Sequence, residues 1–327
     1  MSEIAFEGSA AKAPLVSVML VNWNTRDMTL ECLASVYAET PDTQFEVILV
    51  DNASSDGSAQ AIAEQFPQAT LMAETHNHGF AHATNISAEK AKGKYVLLLN
   101  TDTVVQPGAI DQLVAFAKAR PEAKIWGGRT LFGDGSLNPT SVWGKITPWS
   151  QACMSSGLAA MFPNSSLFNP ECYGGWQRNS ERSVDIIQGA FFLIERKFWE
   201  ELGGFDPVFF MYGEEADLCH RARDLGASPR MTPTAQIIHY GGQSSASQWR
   251  KIIYVYGARM GLMQRYFAPK WRPIGRFMIL FAAAWRALAY GAAAKVTGKY
   301  VEAADNWRIV WQRRDLWRGG PVQTQLD

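Results

Sequence analysis

Amide and carboxylate side chains stand directly after apolar runs at three places in the first 130 residues. Asn22, Asp51 and the pair Asn100 and Asp102 each follow such a run. Uninterrupted aliphatic runs are typical of strands buried on both faces of a parallel sheet. The carboxyl ends of such strands share one edge, where open α/β folds bind ligands, so we expect these side chains to lie close together. Asp and Asn also occur after strands for backbone reasons alone.

A second group of acids, Glu214, Glu215 and Asp217, follows an aromatic run. Mutual repulsion and desolvation raise the pKa of clustered carboxyl groups, which suits a general base near neutral pH. The alternative is a helix N-terminus, where the helix dipole favours acids. Both interpretations can hold together, with Asp217 structural and a neighbour catalytic.

Histidines offer a further candidate ligand. His239 ends an apolar segment that begins at Ala235, and a lone His on such a strand is more often a packed core residue than a ligand. His76, His78 and His82 lie in a predicted loop and helix start, where we expect solvated side chains.

The elements that must position these residues alternate at short intervals. Strands are expected at residues 15–21, 45–50, 69–73, 95–99 and 124–128. Helices are expected at residues 26–38 and 109–119; a further helix begins near residue 58, and another ends near residue 92. Such alternation predicts an α/β fold, a mostly parallel sheet flanked by helices. The segment lacks G-x-G-x-x-G and P-loop patterns, so a bound diphosphate would need a carboxylate-held divalent ion.

Periodicity is lost between residues 133 and 182, where Gly, Ser, Pro and aromatic residues predominate and no clear element emerges. Its aromatic side chains could stack on an acceptor sugar or could simply pack over the sheet. Order returns with one strand predicted at residues 184–194, in which Gly189 tolerates a close backbone approach. A short helix at residues 196–202 follows.

Three of these segments, in order, resemble the motifs of family 2 glycosyltransferases with the GT-A fold. They are residues 47–57 (VILVDNASSDG), 77–85 (NHGFAHATN) and 97–103 (LLLNTDT). The acids at 214–218 resemble the family's E-D-x-D-L motif, and residues 239–244 match its H-x-G-G-x-S. Among subgroups, the sequence is most similar to the bacterial rhamnosyltransferases. The resemblance spans residues 16–245.

The resemblance implies roles for residues on the donor side. Asp51 would contact the nucleotide base, and Asn22 and Asn85 would lie in the nucleotide-sugar site. Asn100 replaces the first Asp of the family's D-x-D, although a contact to the ribose would survive that change. Asp102 would bind the metal. Asp51 could instead be only a turn residue and Asn85 only a polar residue on a helix; for Asp56 we favour a helix cap.

On the acceptor side, the resemblance makes Glu215 the base that deprotonates the acceptor hydroxyl, in place of the family's usual Asp. Glu214 and Asp217 are supporting residues and less favoured bases, and Gly189 is assigned to the acceptor side. His239 would complete the metal site or contact the diphosphate.

The implied activity is an inverting, Mg²⁺- or Mn²⁺-dependent transfer of a sugar from a nucleotide donor. Subgroup similarity suggests dTDP-L-rhamnose as donor and a polyprenyl-diphosphate-linked or other glycan acceptor in cell-envelope polysaccharide synthesis. UDP- and GDP-sugars remain alternatives, as does a catalytically inactive scaffold that binds sugar nucleotides. A nucleotidyltransferase is disfavoured because no glycine-rich, basic phosphate loop follows the first strand.

Charge divides the chain into two unlike parts. Residues 1–249 hold 17 Lys/Arg and 27 Asp/Glu, whereas residues 250–320 hold 14 Lys/Arg and 3 Asp/Glu. We therefore predict a glycosyltransferase domain at 15–245, with halves at 15–130 and 131–245, and a basic helical extension at 246–327. The four cysteines are scattered, which indicates reduced thiols. The first residues lack the apolar stretch of a signal peptide, so we expect a cytoplasmic protein.

The extension is predicted to meet an anionic membrane surface at the inner face of the cell membrane. Trp307, Trp311 and Trp317 share one side of a predicted helix with arginines beside them, a composition typical of membrane interfaces. Arg286 interrupts the apolar residues 277–294, so a transmembrane helix is rejected. Bulky indoles and the absence of any nucleic-acid motif disfavour a duplex-binding helix. Packing of the extension on protein and a homo-oligomer remain open.

Overall fold

The computed structural model describes residues 13–241 and 247–326, which form a central twisted sheet covered by helices. Within these residues the strand order is β3-β2-β1-β4-β10-β6-β11-β5, with β8 beside β11. The strands are β1 (Val16–Asn22), β2 (Phe45–Asp51), β3 (Thr70–Ala73), β4 (Tyr95–Leu99), β5 (Thr103–Val105), β6 (Ile125–Leu131), β7 (Val142–Trp143), β8 (Arg182–Ser183), β9 (Ile186–Ile187), β10 (Phe191–Glu195) and β11 (Arg230–His239). Strands β7 and β9 form a separate pair.

Helices cover both faces of the sheet and continue beyond it. They are α1 (Arg26–Ala38), α2 (Ser58–Gln65), α3 (Phe80–Ala88), α4 (Ala109–Ala119), α5 (Pro148–Ser156), α6 (Leu158–Met161), α7 (Arg196–Leu202), α8 (Glu214–Asp224), α9 (Gln248–Tyr266), α10 (Arg272–Thr297) and α11 (Val301–Gln312).

The four strands β3, β2, β1 and β4 are parallel, as the apolar runs predicted. Their register places Asn22 opposite Asp51. Strand β4 is buried at every position because α-helical side chains cover both faces of the sheet. The carboxyl ends of β1, β2 and β4 therefore share one edge, as expected.

The second half of the sheet is mixed. Strand β10 runs antiparallel to both β4 and β6, and β11 pairs in parallel with β6 and antiparallel with β5. The prediction of one continuous strand at residues 184–194 was wrong. The structure has two separate strands there, β9 and β10, and Gly189 lies in the break between them. Antiparallel pairing brings the start of β10 beside the end of β4, where the Asn100 N–H bonds to the Ala190 carbonyl at 3.3 Å.

Residues 133–182, expected to lack regular structure, contain α5. Thr147 and Ser150 form a reciprocal capping box at its start, with Pro148 in the first turn. The helix carries no apolar stripe because the side chains it buries include Ser150, Gln151 and Ser155. A helix that buries polar groups gives no hydrophobic period to detect.

The basic extension packs on the domain that precedes it. In α9, Ala258 and Leu262 belong to the core cluster that also contains residues of β10 and α8. Arg259 in the same helix makes two 2.8 Å bonds to Glu171. The predicted boundary at 245/246 falls in the segment 242–246, which lies outside the described residues.

The indoles of the extension are not the exposed surface on which the membrane prediction relied. Trp317 is fully buried against Tyr256, and its Nε1 donates to the Val310 carbonyl at 3.0 Å. Trp307 and Trp311 are partly buried and pack against the core cluster that contains Tyr256 and Trp317. Helical spacing identified the face of α11 that Trp307 and Trp311 share, but that face meets protein, and Trp317 lies beyond the end of the helix.

Helix α10 presents apolar side chains outward instead. Phe277, Phe281 and Leu288 are 67%, 49% and 75% exposed. Within the described chain, Pro269–Thr297 is long and apolar enough to cross a membrane by length and composition, with a mean hydropathy of 1.5 and 17% of that window buried. Arg286 in this helix donates to the carbonyls of Met154 and Ser155, so its charge is directed at protein.

Candidate active site

A cavity of about 390 Å³ opens at the edge where β1, β4 and β11 end and α8 begins. Six of the residues singled out from the sequence line it, although they are scattered along the chain: Asn100, Asp102, Gly189, Glu214, Glu215 and His239. Strand order brings them together, because β10 pairs with β4 and β11 pairs with β5, the short strand that begins directly after Asp102. The cavity is therefore the place where the predicted donor and acceptor chemistry can meet.

Asp102 and His239 form the centre of this site. The His239 Nε2 lies 3.2 Å from the Asp102 Oδ1, and the two residues are only 5% and 6% exposed. Antiparallel pairing of β11 with β5 sets this geometry, and the Tyr240 N–H bonds to the Asp102 carbonyl at 3.0 Å. The Asn100 Nδ2 lies 3.5 Å from the same imidazole nitrogen.

The donor atoms of this pair fit a divalent cation. Two ligands at right angles around a Mg²⁺-sized ion lie about 3 Å apart, close to the observed separation. Within the described residues no group of three or more His, Cys, Asp and Glu side chains is placed to hold a metal. A site with one carboxylate and one imidazole leaves positions for phosphate oxygens, which suits Mg²⁺ or Mn²⁺ held jointly by protein and substrate.

Glu214 and Glu215 begin α8, and the pKa of each carboxyl group is raised. Burial and then the charge of Glu215 raise the pKa of Glu214 well above its ordinary value. Burial also raises the pKa of Glu215, opposed by backbone N–H groups at the start of the helix. The pair therefore holds a proton more tightly than isolated carboxyl groups would, and the role of Glu215 as the base stays a prediction.

Backbone strain positions these acids. Tyr212 and Gly213 both adopt positive φ, at 66° and 94°, directly before α8. A side chain on Gly213 would meet the Ala258 Cβ at 2.8 Å. Gly213 adopts this φ without steric cost, but a left-handed Tyr212 is costly and persists where the surrounding structure demands it, often at functional sites.

Three buried polar atoms around the cavity have no hydrogen-bond partner among the described residues. They are the Glu214 Oε2, the Glu215 Oε2 and the His239 Nδ1. Buried polar atoms are nearly always paired, so this concentration at one cavity indicates a site built for other groups.

Asn22 and Asp51 do not line the cavity wall. Their side chains bond to each other at 2.6 Å, and Asp51 also accepts from the Ser54 N–H at 2.9 Å. Both are at least 98% buried. They are the chain neighbours of cavity residues Val21 and Asn52, and the predicted contact of Asp51 with the base stays a prediction.

Asn85 forms a clamp on the backbone, and its predicted place in the nucleotide-sugar site stays a prediction. Its side-chain amide donates to the Phe205 carbonyl at 2.8 Å and accepts from the Phe205 N–H at 3.0 Å. Both polar atoms are used by this backbone clamp, and the residue does not line the cavity. The clamp joins α3 to the loop that precedes the acids.

Asp217 is structural, as one of the two interpretations expected. It is fully buried and bonds to Arg221 at 2.8 Å, Arg265 at 2.7 Å and the Tyr266 hydroxyl at 2.7 Å. These bonds tie the helix of the acids to α9.

Asp56 caps two helices, as expected. Its carboxylate accepts from the Arg26 N–H at 2.9 Å and the Ser58 N–H at 3.0 Å, at the starts of α1 and α2. The imidazoles of His76 and His78 lie 3.9 Å apart outside the cavity.

Sequence reasoning missed several cavity residues. Trp23 follows β1 directly, and its position after a strand was the available signal. Asn52 and Asn77, which bond to each other at 2.8 Å, also line the wall. Lys251 comes from α9, in the extension, where no sequence pattern pointed to the site. The Gly-Gly-x-Ser portion of the motif after His239 falls partly in residues 242–246, outside the described residues.

The fold and this cavity define an enzyme of the GT-A type, in which a mixed sheet carries a nucleotide-sugar site and an acid at the start of a helix faces it. The Glycosyl transferase family 2 model matches residues 17–202, more than half of the chain. The chain belongs to that family and is a glycosyltransferase, which confirms the resemblance expected from its motifs.

Curated relatives narrow the similarity. The chain is 29% identical over 227 residues to the N-acetylglucosaminyl-diphospho-decaprenol L-rhamnosyltransferase of Mycobacterium tuberculosis, covering 65% of this chain and 72% of that protein. It is 27% identical to the rhamnosyltransferase WbbL of Escherichia coli, covering 72% and 88%. These matches support a rhamnosyltransferase-like member of the family.

A solved structure supports the fold. The mannosyltransferase PcManGT from Pyrobaculum calidifontis, in complex with GDP-Man and Mn²⁺, superposes with a TM-score of 0.56 at 20% identity. The match covers 94% of this chain and 88% of that chain, so it includes the C-terminal helices. The predicted α/β fold of the GT-A type is therefore confirmed.

Proposed function

We propose that this enzyme transfers L-rhamnose from dTDP-L-rhamnose to a hydroxyl of a polyprenyl-diphosphate-linked sugar, with inversion at the anomeric carbon. The observation that carries the proposal is the meeting of Asp102 and His239 with Glu215 in one cavity. The relatives named as rhamnosyltransferases, one of them acting on a diphospho-decaprenol, supply the donor sugar and acceptor class.

The reaction requires one proton transfer and one displacement. Glu215 takes the proton of the acceptor hydroxyl while that oxygen attacks the anomeric carbon. The bond from that carbon to the diphosphate oxygen breaks, and the diphosphate leaves with the electron pair. Asp102 and His239 would hold Mg²⁺ or Mn²⁺, which neutralises charge on the leaving diphosphate.

The test offers the protein a panel of nucleotide sugars and measures release of nucleoside diphosphate. The panel includes dTDP-L-rhamnose, UDP-sugars and GDP-mannose, each with and without Mn²⁺. We expect dTDP-L-rhamnose to be turned over fastest and only with the metal. Turnover of a UDP- or GDP-sugar alone would overturn the donor, and donor binding without any turnover would indicate an inactive scaffold.

Glu215→Gln tests the base. Loss of a general base costs about 10²–10⁴-fold in rate, and donor binding should survive because the substitution preserves size. The matched variant is Glu214→Gln, which should retain more activity. If Glu214→Gln is inactive and Glu215→Gln is active, the assigned roles are reversed.

We also propose that the outer face of α10 rests on an anionic lipid surface. Its exposed apolar side chains are flanked by exposed cations, namely Lys270, Arg272, Arg276, Lys295 and Lys299. Basic residues near such a surface contribute about 1 kcal/mol each, and the attraction fades with salt. An enzyme with a lipid-linked acceptor must meet it at a membrane.

The membrane proposal is tested by vesicle sedimentation at low and high salt. Leu288→Asp should weaken binding to vesicles containing phosphatidylglycerol, whereas Leu225→Asp, at an exposed position on α8's C-terminal end, should not. Wild-type protein that ignores anionic vesicles at low salt would overturn this part of the proposal and leave the transferase assignment intact.

A further inference from the structure

Lys251 places a cation from the extension in the wall of the catalytic cavity. Among the described residues that line this cavity, it is the one Lys or Arg. It lies in the first turn of α9, which carries no acid there. A cation in the first turn is unfavourable for the helix dipole, so helix stability does not explain the position.

The other cations of α9 that face the catalytic domain are neutralised by its acids. Arg259 bonds to Glu171 at 2.8 Å, and Arg265 bonds to Asp206 and Asp217 at 2.7 Å. Lys251 has no carboxylate partner within the described residues, and its side chain is only half-buried. Its charge is therefore available to a ligand in the cavity.

Charge in the cavity favours a cation at this position. Asp102, Glu214 and Glu215 contribute three carboxyl groups to the wall, and a diphosphate would add at least two further negative charges. An ammonium group donates strong, charge-assisted bonds to phosphate oxygens.

We propose that Lys251 binds a phosphate oxygen of a diphosphate in the cavity. The ligand class rests on the proposed function, in which two diphosphates reach the site, one on the nucleotide donor and one on the lipid-linked acceptor. The extension then supplies part of the substrate site, beyond residue 202, where the family match ends.

The experiment measures the affinity of wild type, Lys251→Met and Lys251→Arg for two probes. The first probe is dTDP with Mn²⁺, which represents the donor. The second is geranyl diphosphate, which represents the acceptor lipid. Lys118→Met, at an exposed position of α4 outside the cavity, is the matched control and should bind both probes like wild type.

We expect Lys251→Met to weaken at least one probe by tenfold or more and to flatten the salt dependence of that affinity. Lys251→Arg should recover most of the loss, which a merely structural role would not require. A loss for dTDP identifies the donor diphosphate, and a loss for geranyl diphosphate alone identifies the acceptor.

Affinities of Lys251→Met within twofold of wild type for both probes would overturn the inference while the proposed function stands. Wild-type protein that binds neither probe would overturn the proposed function and the ligand class together. Circular dichroism of each variant establishes that the fold is retained in either case.

Discussion

The protonation of the Glu214 and Glu215 pair should control stability as well as catalysis. Burial raises the pKa of both carboxyl groups, most strongly for Glu214. Between the unfolded value of about 4.3 and the raised folded value, the folded state binds more protons than the unfolded state. The free energy of unfolding therefore falls as pH rises through this window, and the loss is complete above it.

Glu214→Gln should remove most of this penalty. A tenfold difference in proton affinity between the folded and unfolded states corresponds to about 1.4 kcal/mol. The variant should therefore gain on the order of 1 kcal/mol or more relative to wild type as pH rises from below the unfolded value to above the raised folded value. The glutamine amide lacks a partner as the Glu214 Oε2 does, but that cost is independent of pH and cancels in the difference.

The assay is urea unfolding at about pH 3.5, below the unfolded pKa of the carboxyl group, and at about pH 8, in EDTA and without donor, so that ligand binding adds nothing. Glu201→Gln, at an exposed position of α7, is the matched control and should follow wild type at both values. Parallel pH profiles for Glu214→Gln and wild type would refute the argument, because they would mean that the Glu214 carboxylate carries no penalty in the folded state.

Three further substitutions test the site and its supports. Asp102→Asn should abolish metal-dependent turnover while the thermal midpoint stays near that of wild type; an unchanged Mn²⁺ response would contradict its role. Asn85→Ala removes two hydrogen bonds to the Phe205 backbone and should lower the free energy of unfolding by about 2–3 kcal/mol, with the affinity for dTDP unchanged. Unchanged stability with a loss of dTDP affinity would instead support the predicted nucleotide contact. Asp217→Asn should lower the free energy of unfolding by about 3 kcal/mol in urea titrations, because it leaves two arginines without their buried carboxylate partner. The control Asp305→Asn, in an exposed ion pair, should cost under about 1 kcal/mol. Equal costs for the two variants would refute the argument.

Strands and helices with a strong apolar period were predictable from the sequence. The helices at 26–38 and 109–119 and the strand at 95–99 have the predicted bounds. Their signals are local, because aliphatic runs and 3.6-residue spacing reflect burial that each element undergoes by itself. The meeting of Asn100 and Asp102 at the sheet edge followed from the same rule.

Features set by tertiary pairing were not predictable. The break around Gly189 depends on the antiparallel pairing of β10 with β4, and the apolar run contains no turn signal strong enough to mark the break. Helix α5 escaped detection because its buried side chains include Gln151, which receives bonds from Arg259 far along the chain. A polar group buried by a distant partner carries no local signature.

The indoles illustrate the limit of a helical face as evidence. Spacing correctly predicted that Trp307 and Trp311 share one side of a helix, but it could not distinguish lipid from protein as the neighbour. The contact of Trp307 with Tyr256, and the packing of both indoles on the surrounding core cluster, show that the neighbour is protein. A shared apolar face therefore predicts burial, and a structure is needed to identify what buries it.

The positive charge of residues 250–320 falls into two groups in this arrangement. Helix α9 directs Arg259 and Arg265 at acids of the catalytic domain and Lys251 at the cavity, so these charges are internal to the protein. Helix α10 carries its cations on the outside, beside exposed Phe277 and Leu288. The salt dependence of vesicle binding should therefore follow substitutions in α10, and that of nucleotide or lipid diphosphate binding should follow Lys251, because charges already paired within the fold have little left to offer a ligand.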